Sequence, residues 1–360
     1  MSAVASSSVR RRRVAVLGAT GAVGQAFIRL LENHPWFELT EVAASERSAG
    51  KPYAEATRWI GGDAMPERVR AMTVQPCDPS SISAEIVFSA LDSAAAQDAE
   101  PAFARAGKVV LTNAKNYRMD PDVPLVIAEV NPSHLNVLEA QRRNRGWTGA
   151  IVANGNCASI VAALPLAPIH ERFGIANVFA VTMQAVSGAG YPGVPSLDIL
   201  GNVIPYIKDE EPKIETEIQK FLGTVDAGTI RSAGFGVSAH ANRVPVQHGH
   251  TVCLSIALET RADARDVERA ITDWRGADAA HGLPSAPAQP VRVSDEPDHP
   301  QPRRHVDSGN GMTVVVGRVR SDPILDVKLV AMGHNIVRGA AGASVLNAEL
   351  MVHCGALTAS

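Results

Sequence analysis

The residues best suited to covalent chemistry in this chain are Cys157 and the histidines of Arg243-Val-Pro-Val-Gln-His248-Gly-His250. Cys157 follows Asn156, a residue type that caps helix N-termini by accepting hydrogen bonds from the first unpaired N–H groups. A thiol in a first helical turn feels the positive end of the helix dipole, so its pKa is expected to fall and the thiolate to be favoured. Brought beside a histidine in space, such a thiol attacks acyl carbons while the imidazole handles the proton. Cys77, Cys253 and Cys354 have no comparable sequence neighbours and read as small hydrophobes. His248 and His250 flank a glycine as half a metal site would, but no third group of ligands accompanies them, and no metal is expected.

A second chemistry belongs to Gly18-Ala-Thr20-Gly21-Ala22-Val23-Gly24. Backbone N–H groups without side chains in the way, at the start of a helix, hold phosphate. The spacing is Gly-x-x-Gly-x-x-Gly, and its place between a strand and a helix points to a dinucleotide rather than to a turn alone. Sheets that select NAD carry an acidic residue for the ribose 2′-hydroxyl at the end of the next strand. Here Ala44 is followed by Ser45, Glu46, Arg47, Ser48 and Lys51. The hydroxyls and cations suit a 2′-phosphate, with Glu46 facing solvent, so the expected cofactor is NADP.

These groups need elements to hold them. Val14–Leu17, the glycine turn, an apolar helical pattern over 25–32 and an alternating strand over 37–44 make a βαβ unit and hence a parallel sheet. Strands at 86–90, 109–112 and 125–127, with a helix over 94–106, continue it. From about Gly149 the texture changes: a helix follows Cys157, with Pro165 expected to kink or end it. Strands rich in β-branched residues at 178–185, 244–246, 251–258 and 313–319 predict a mixed or antiparallel sheet. Residues 277–302 read as a surface excursion, and 338–353 as a helix of small and apolar residues. The expected organisation is a disordered lead-in over 1–12, a cofactor-binding domain over 13–155 completed by a C-terminal helix within 335–360, and a catalytic and oligomerisation domain over 156–334.

Composition sets the limits. At 360 residues with 46% hydrophobic and 20% charged, the chain can build two cores and is not a disordered polymer. A net charge of −3 and only 4% aromatic residues give no basis for binding nucleic acid or an anionic membrane. No apolar run nears the roughly 18 residues a membrane span needs, and no apolar segment follows the basic 9–13 stretch, so a cytoplasmic protein is expected.

Several stretches together resemble the aspartate-β-semialdehyde dehydrogenase family of archaeal and fungal type, over almost the whole chain. They are Gly18–Gly24, Ala44–Lys51, Tyr117–Leu125, Gln184–Gly193, Arg243–Val246 and His334–Gly342. The resemblance implies an α/β fold like that of glyceraldehyde-3-phosphate dehydrogenase: a Rossmann-type parallel sheet plus an α+β catalytic and dimerisation domain, assembled as a homodimer or homotetramer. It implies NADPH-dependent reduction of L-aspartyl 4-phosphate to the semialdehyde with phosphate release. Cys157 would form the thioester, His250 would be the acid/base with His248 a bystander, and Gln184 would lie near the thioester. Arg243 would pair with the substrate carboxylate and Glu210 with its amino group, while Arg118 and Lys213 hold phosphate, with Asn116 nearby. Ser187, Gly188 and Asn335 would surround the nicotinamide.

The chain departs from the family pattern at Gly155 and Ala158 around the nucleophile, at Ala128 before Glu129, and at Gly333 before His334. Those changes leave a paralogue of a specialised pathway, or an acyl-CoA reductase such as a malonyl-CoA reductase, as the alternatives. Glu210, needed only for an amino group, argues against the latter.

Overall fold

The structure, a computed structural model, describes residues 11–62 and 64–357. The lead-in up to residue 10 and the last three residues of the C-terminal segment lie outside them.

The first sheet holds β1 (Arg12–Leu17), β2 (Phe37–Ala44), β3 (Gln75–Pro76), β4 (Ile86–Ser89), β5 (Val109–Thr112) and β6 (Ala150–Ala153). Its order is β3-β2-β1-β4-β5-β6, every pair parallel. The helices interleaved with it are α1 (Ala22–Leu31), α2 (Tyr53–Ala56), α3 (Glu67–Arg70), α4 (Ser93–Arg105) and α5 (Leu138–Arg145). The order reverses between β1 and β4, and ligands collect at the carboxyl ends of strands flanking such a point. The glycine turn stands there.

The second half begins with α6 (Cys157–Phe173), β7 (Ile175–Gln184), α7 (Ser196–Ile199) and α8 (Glu210–Phe221). A small hairpin follows, β8 (Thr224–Asp226) with β9 (Thr229–Arg231), and then β10 (Gly236–Arg243), β11 (His250–Leu258) and α9 (Ala264–Asp273). β12 (Val291–Ser294), α10 (Pro302–His305), β13 (Val314–Ser321) and β14 (Val327–Gly333) lead to a π-helical turn, Val337–Ala341, and α11 (Gly342–His353). The sheet order is β10-β7-β11-β14-β13-β12, mixed as expected: β10 runs parallel to β7, and β11 antiparallel to β7 and β14.

Alternation along β1 divides the cores. Ala15 and Leu17 join α6, α8 and the mixed sheet in one apolar mass, while Val14 and Val16 face Phe27 of α1 and Val345, Leu346 and Leu350 of α11. The C-terminal helix thus returns to the parallel sheet.

Four local expectations fail for identifiable reasons. Pro165 does not break α6, which continues through Pro168 as well. The helix is buried along most of its length, and its packing outweighs the lost backbone bonds. Residues 125–127 make only one bridge, Leu125 to Ala153, because the Asn131 side chain takes over their backbone, accepting from Ile127 N and donating to Leu125 O. Residues 244–246 form a tight loop after β10, where Pro245 has no N–H to offer a ladder. The 277–302 stretch is not merely a surface excursion: it contributes β12, parallel to β13, and buries Ala280, Leu283 and Val291.

Candidate active site

Cys157 opens α6, where Asn156 Oδ1 accepts from the N–H groups of Ala158 (3.0 Å) and Ser159 (3.1 Å), the cap read from sequence. His250 opens β11 and places Nε2 3.0 Å from Cys157 Sγ. Its Nδ1 accepts from the N–H of Ala185 at 3.1 Å, so the proton of the neutral ring sits on Nε2, toward the sulfur. Burial lowers the His250 pKa to about 3, against the pull of Glu210. Burial, helped by the Glu210 carboxylate, pushes the Cys157 thiol up to about 12, while Arg118 and Arg243 pull it down. The expectation of a lowered thiol pKa is therefore overturned for the free protein: enclosure of this first turn outweighs the helix dipole.

Charged side chains surround the pair. Glu210 Oε1 accepts from Asn156 Nδ2 at 2.7 Å, and Oε2 lies 3.1 Å from Lys213 Nζ. Burial alone would raise the Glu210 carboxyl, but Lys213, Asn156 and Gln184 hold it below the usual range. Gln184, the last residue of β7, is buried and registers with Arg243 at the end of β10. Arg243 Nη1 donates to Ala185 O at 2.8 Å. Gly188 leaves the room these groups need, because a Cβ there would stand 3.0 Å from both Arg243 Nη1 and His250 Cε1. Arg118 is nearly buried, with Nη1 2.9 Å from Glu217 Oε1, Nη2 donating to Asn113 O, and Nε without a partner. Asn116 turns toward the start of α4, donating to Ser93 O and Gln97 Oε1.

His248 belongs to a different group. Its Nδ1 lies 3.0 Å from Ser187 Oγ, which also accepts from Asn335 Nδ2 at 2.9 Å, and Asn335 Oδ1 accepts from Gly249 N. The His248 and His334 rings stack 5.3 Å apart. This group borders a cavity of about 980 Å³ whose wall also includes Ala22 at the head of α1.

The glycine turn is shaped for close approach. Gly18 has φ 68°, and a Cβ on it would stand 2.5 Å from Ala90 O; one on Gly24 would overlap Gly18 O. Gly21 occupies the N-cap of α1, whose first turn carries no acidic residue, so its positive end is free for an anion. Thr20, Ala22 and Val23 complete this turn. Ser45, Arg47 and Lys51 are exposed on the turn after β2, where Ser45 O accepts from Ser48 N. A nucleotide diphosphate fits this cradle.

Sequence reading missed several supports. Tyr53 passes under the glycine turn and donates from its hydroxyl to Ala19 O at 2.7 Å. Arg338 and Glu129 make a fully buried two-pronged pair, 2.7 Å at each contact, behind the π-helical turn. Gly339 of that turn touches Cys157. The departures from the family pattern also have local causes. The Phe221 ring occupies the space a Cβ on Gly155 would need, and a Cβ on Gly333 would come within 2.8 Å of Val161 Cγ2.

Comparison with known proteins agrees with this geometry. Residues 13–138 match the family model for the semialdehyde dehydrogenase NAD-binding domain, and 166–338 that for the semialdehyde dehydrogenase dimerisation domain. The aspartate-semialdehyde dehydrogenase of Methanothermobacter thermautotrophicus is 52% identical over 94% of this chain and 98% of its own length. The chain belongs to the aspartate-semialdehyde dehydrogenase family. The family's Schizosaccharomyces pombe member is 47% identical over 96% of this chain and 99% of its own. Among solved structures, the Candida albicans aspartate-semialdehyde dehydrogenase with NADP superposes with a TM-score of 0.89 at 42% identity, covering 96% of this chain and 100% of that one. The Vibrio cholerae aspartate-semialdehyde dehydrogenase II complexed with ASA gives 0.74 at 29%, covering 95% and 98%.

Proposed function

We propose that this protein reduces L-aspartyl 4-phosphate to L-aspartate 4-semialdehyde with NADPH, releasing phosphate through a thioester on Cys157. The contact of Cys157 Sγ with His250 Nε2 at 3.0 Å, ringed by Arg243, Arg118, Glu210 and Lys213, carries this reading. In it, Arg243 receives the substrate's α-carboxylate in a two-pronged grip and Glu210 its ammonium. Arg118 and Lys213 take the phosphate, with Asn116 beside the Arg118 loop, and Cys157 attacks the acyl carbon. Thiol and imidazole are both neutral in the free protein, so the covalent step waits for the ligand: an ammonium on Glu210 cancels the charge that opposes the thiolate. His250, with its proton on Nε2, then serves the sulfur and the oxygen of the tetrahedral adduct, and Gln184 borders the thioester.

NADPH supplies the hydride when bound. The residues that would hold it are Gly18, Thr20, Gly21, Ala22 and Val23 at the diphosphate, and Ser45, Arg47, Ser48 and Lys51 at the 2′-phosphate. Ser187, Gly188 and Asn335 would face the nicotinamide. The glycine cradle and the acid-free start of α1 support this placement. Residues 13–155 with the returning C-terminal helix form the cofactor-binding part in this reading, and 156–334 the catalytic part.

The protein is read as a cytoplasmic homodimer or homotetramer. Leu197, Leu200, Val203 and Tyr206, all exposed, and Phe179 on the open face of the mixed sheet offer apolar surface for a second copy. No described helix is long and apolar enough to cross a membrane.

NADP reduction measured with L-aspartate semialdehyde and phosphate, beside malonate semialdehyde with CoA, tests the assignment. Faster turnover of the CoA-dependent pair overturns it.

A further inference from the structure

α8 carries charge where a helix normally carries hydrocarbon. Glu210, Lys213, Glu217 and Lys220 recur at helical spacing along the side turned to the protein, and Glu210, Glu217 and Lys220 are buried. The first two border the site. The last two do not, yet each is fully engaged. Lys220 Nζ donates to three carbonyls, those of Arg118 (2.6 Å), Asp120 (2.7 Å) and Val123 (2.9 Å), and so pins the backbone of the loop that presents Arg118. Glu217 splits its carboxylate: Oε1 lies 2.9 Å from Arg118 Nη1, and Oε2 accepts from the backbone N–H of Asn156, the residue before the nucleophile.

A buried carboxylate–guanidinium pair is a poor means of stabilising a fold, since desolvation cancels most of its attraction and an apolar pair of the same size serves as well. What the pair does provide is geometry. Arg118 is held by Glu217 at Nη1 and by Asn113 O at Nη2, which fixes the plane of the guanidinium and leaves Nε–H unpartnered. Asn156 is held at its N–H by Glu217 and at its side-chain amide by Glu210, which fixes the start of α6.

We propose that Glu217 is a positioning residue that sets the distance between the phosphate-binding guanidinium and the sulfur, one carboxylate oxygen on each. The proposal rests on the reading of Arg118 as the phosphate ligand. It requires two acceptors at position 217, because both partners donate.

Glu217→Gln tests it. The amide matches the shape but has one acceptor for two donors, so one contact is lost and an N–H faces a donor. In the phosphorolytic direction the KM for phosphate should rise about tenfold, the scale of one charge-assisted hydrogen bond. The KM for the semialdehyde should change less than about threefold on the same scale. A merely structural role would reduce the active fraction and the melting temperature and leave both KM values alone. Glu217→Asp keeps the charge and both acceptors on a shorter arm, so it should fold and show an intermediate phosphate KM. In an Arg118→Lys background, Glu217→Gln should add little to the phosphate KM, since its effect passes through that residue. An unchanged phosphate KM in both single variants, or fully additive costs in the double variant, overturns the proposal. An Arg118→Lys variant with normal phosphate KM instead refutes the assignment of Arg118 itself, whatever Glu217 does.

Discussion

Gly339→Ala should disable the site without touching a reacting group. Gly339 sits in the π-helical turn Val337–Ala341, and an ideal Cβ there would lie 2.5 Å from Cys157 Cβ and 3.0 Å from its Cα. Ordinary contact begins near 3.4 Å, so about 0.9 Å must be found (3.4 minus 2.5). The turn has little freedom to retreat: Arg338 is clamped by Glu129, and Gly339 N donates to His334 O at 2.9 Å. The first turn of α6 therefore yields, and the sulfur moves by about an ångström relative to His250 Nε2. Overpacking of this size costs about 1–3 kcal/mol of stability. A misplacement of about 1 Å costs on the order of 100-fold in rate. Steady-state kcat with semialdehyde, phosphate and NADP, measured beside the melting temperature, checks both numbers. A melting temperature lowered by several degrees with kcat within threefold of wild type would refute the reasoning, because the turn and not the nucleophile would then have given way.

Three further outcomes are expected. Cys157→Ser should abolish turnover while the NADPH affinity, measured by fluorescence titration, stays within about twofold, since the hydroxyl is no thiolate and the glycine turn lies elsewhere. Retention of over about a tenth of the rate would remove Cys157 from the nucleophile role. Arg47→Ala should weaken NADPH about 10- to 150-fold more than NADH, the range of a charge-assisted pair; equal losses would show that Arg47 does not read the 2′-phosphate. Glu210→Gln should shift the pH profile of Cys157 alkylation in the free protein to lower pH. The carboxylate now holds the thiol pKa up, so its removal lets the thiolate, and with it the alkylation rate, appear earlier as pH rises. A profile that stays in place or moves up would contradict the assigned cause.

How much of this could be read from the chain follows from the range of each interaction. The cap at Asn156, the glycine turn and the opening of β11 at His250 depend on neighbours in sequence, and each stands where its residues predict. The thiol pKa could not be read, because its largest cause is enclosure by segments distant in the chain, and Glu210 lies far from Cys157 in sequence. α6 misled for the same reason: two prolines argue against a helix locally, and burial on nearly all sides overrides them. The charged stripe of α8 was half visible. Glu210 and Lys213 stood out through the family resemblance, whereas Glu217 and Lys220 look like solvated charges until their partners at Asn156, Arg118, Asp120 and Val123 are seen.

The chain passes between the two sheets only twice, from β6 to α6 through residues 154–156 and from β14 to the π-helical turn through 334–336. These two crossings run side by side: Asn154 Nδ2 reaches the carbonyls of Gly339 and Ala340 at 3.4 Å, and Gly339 rests on Cys157. Any rocking of one sheet against the other must turn about the line they define, as a door turns about paired pins. Bridges off that line, such as the Arg58 guanidinium over the Tyr191 ring at 5.3 Å, are the ones that opening breaks. Points on the axis scarcely travel. The sulfur of Cys157 sits beside the pins, so the chain can open to admit a large nucleotide and close again with its nucleophile returned to the same place.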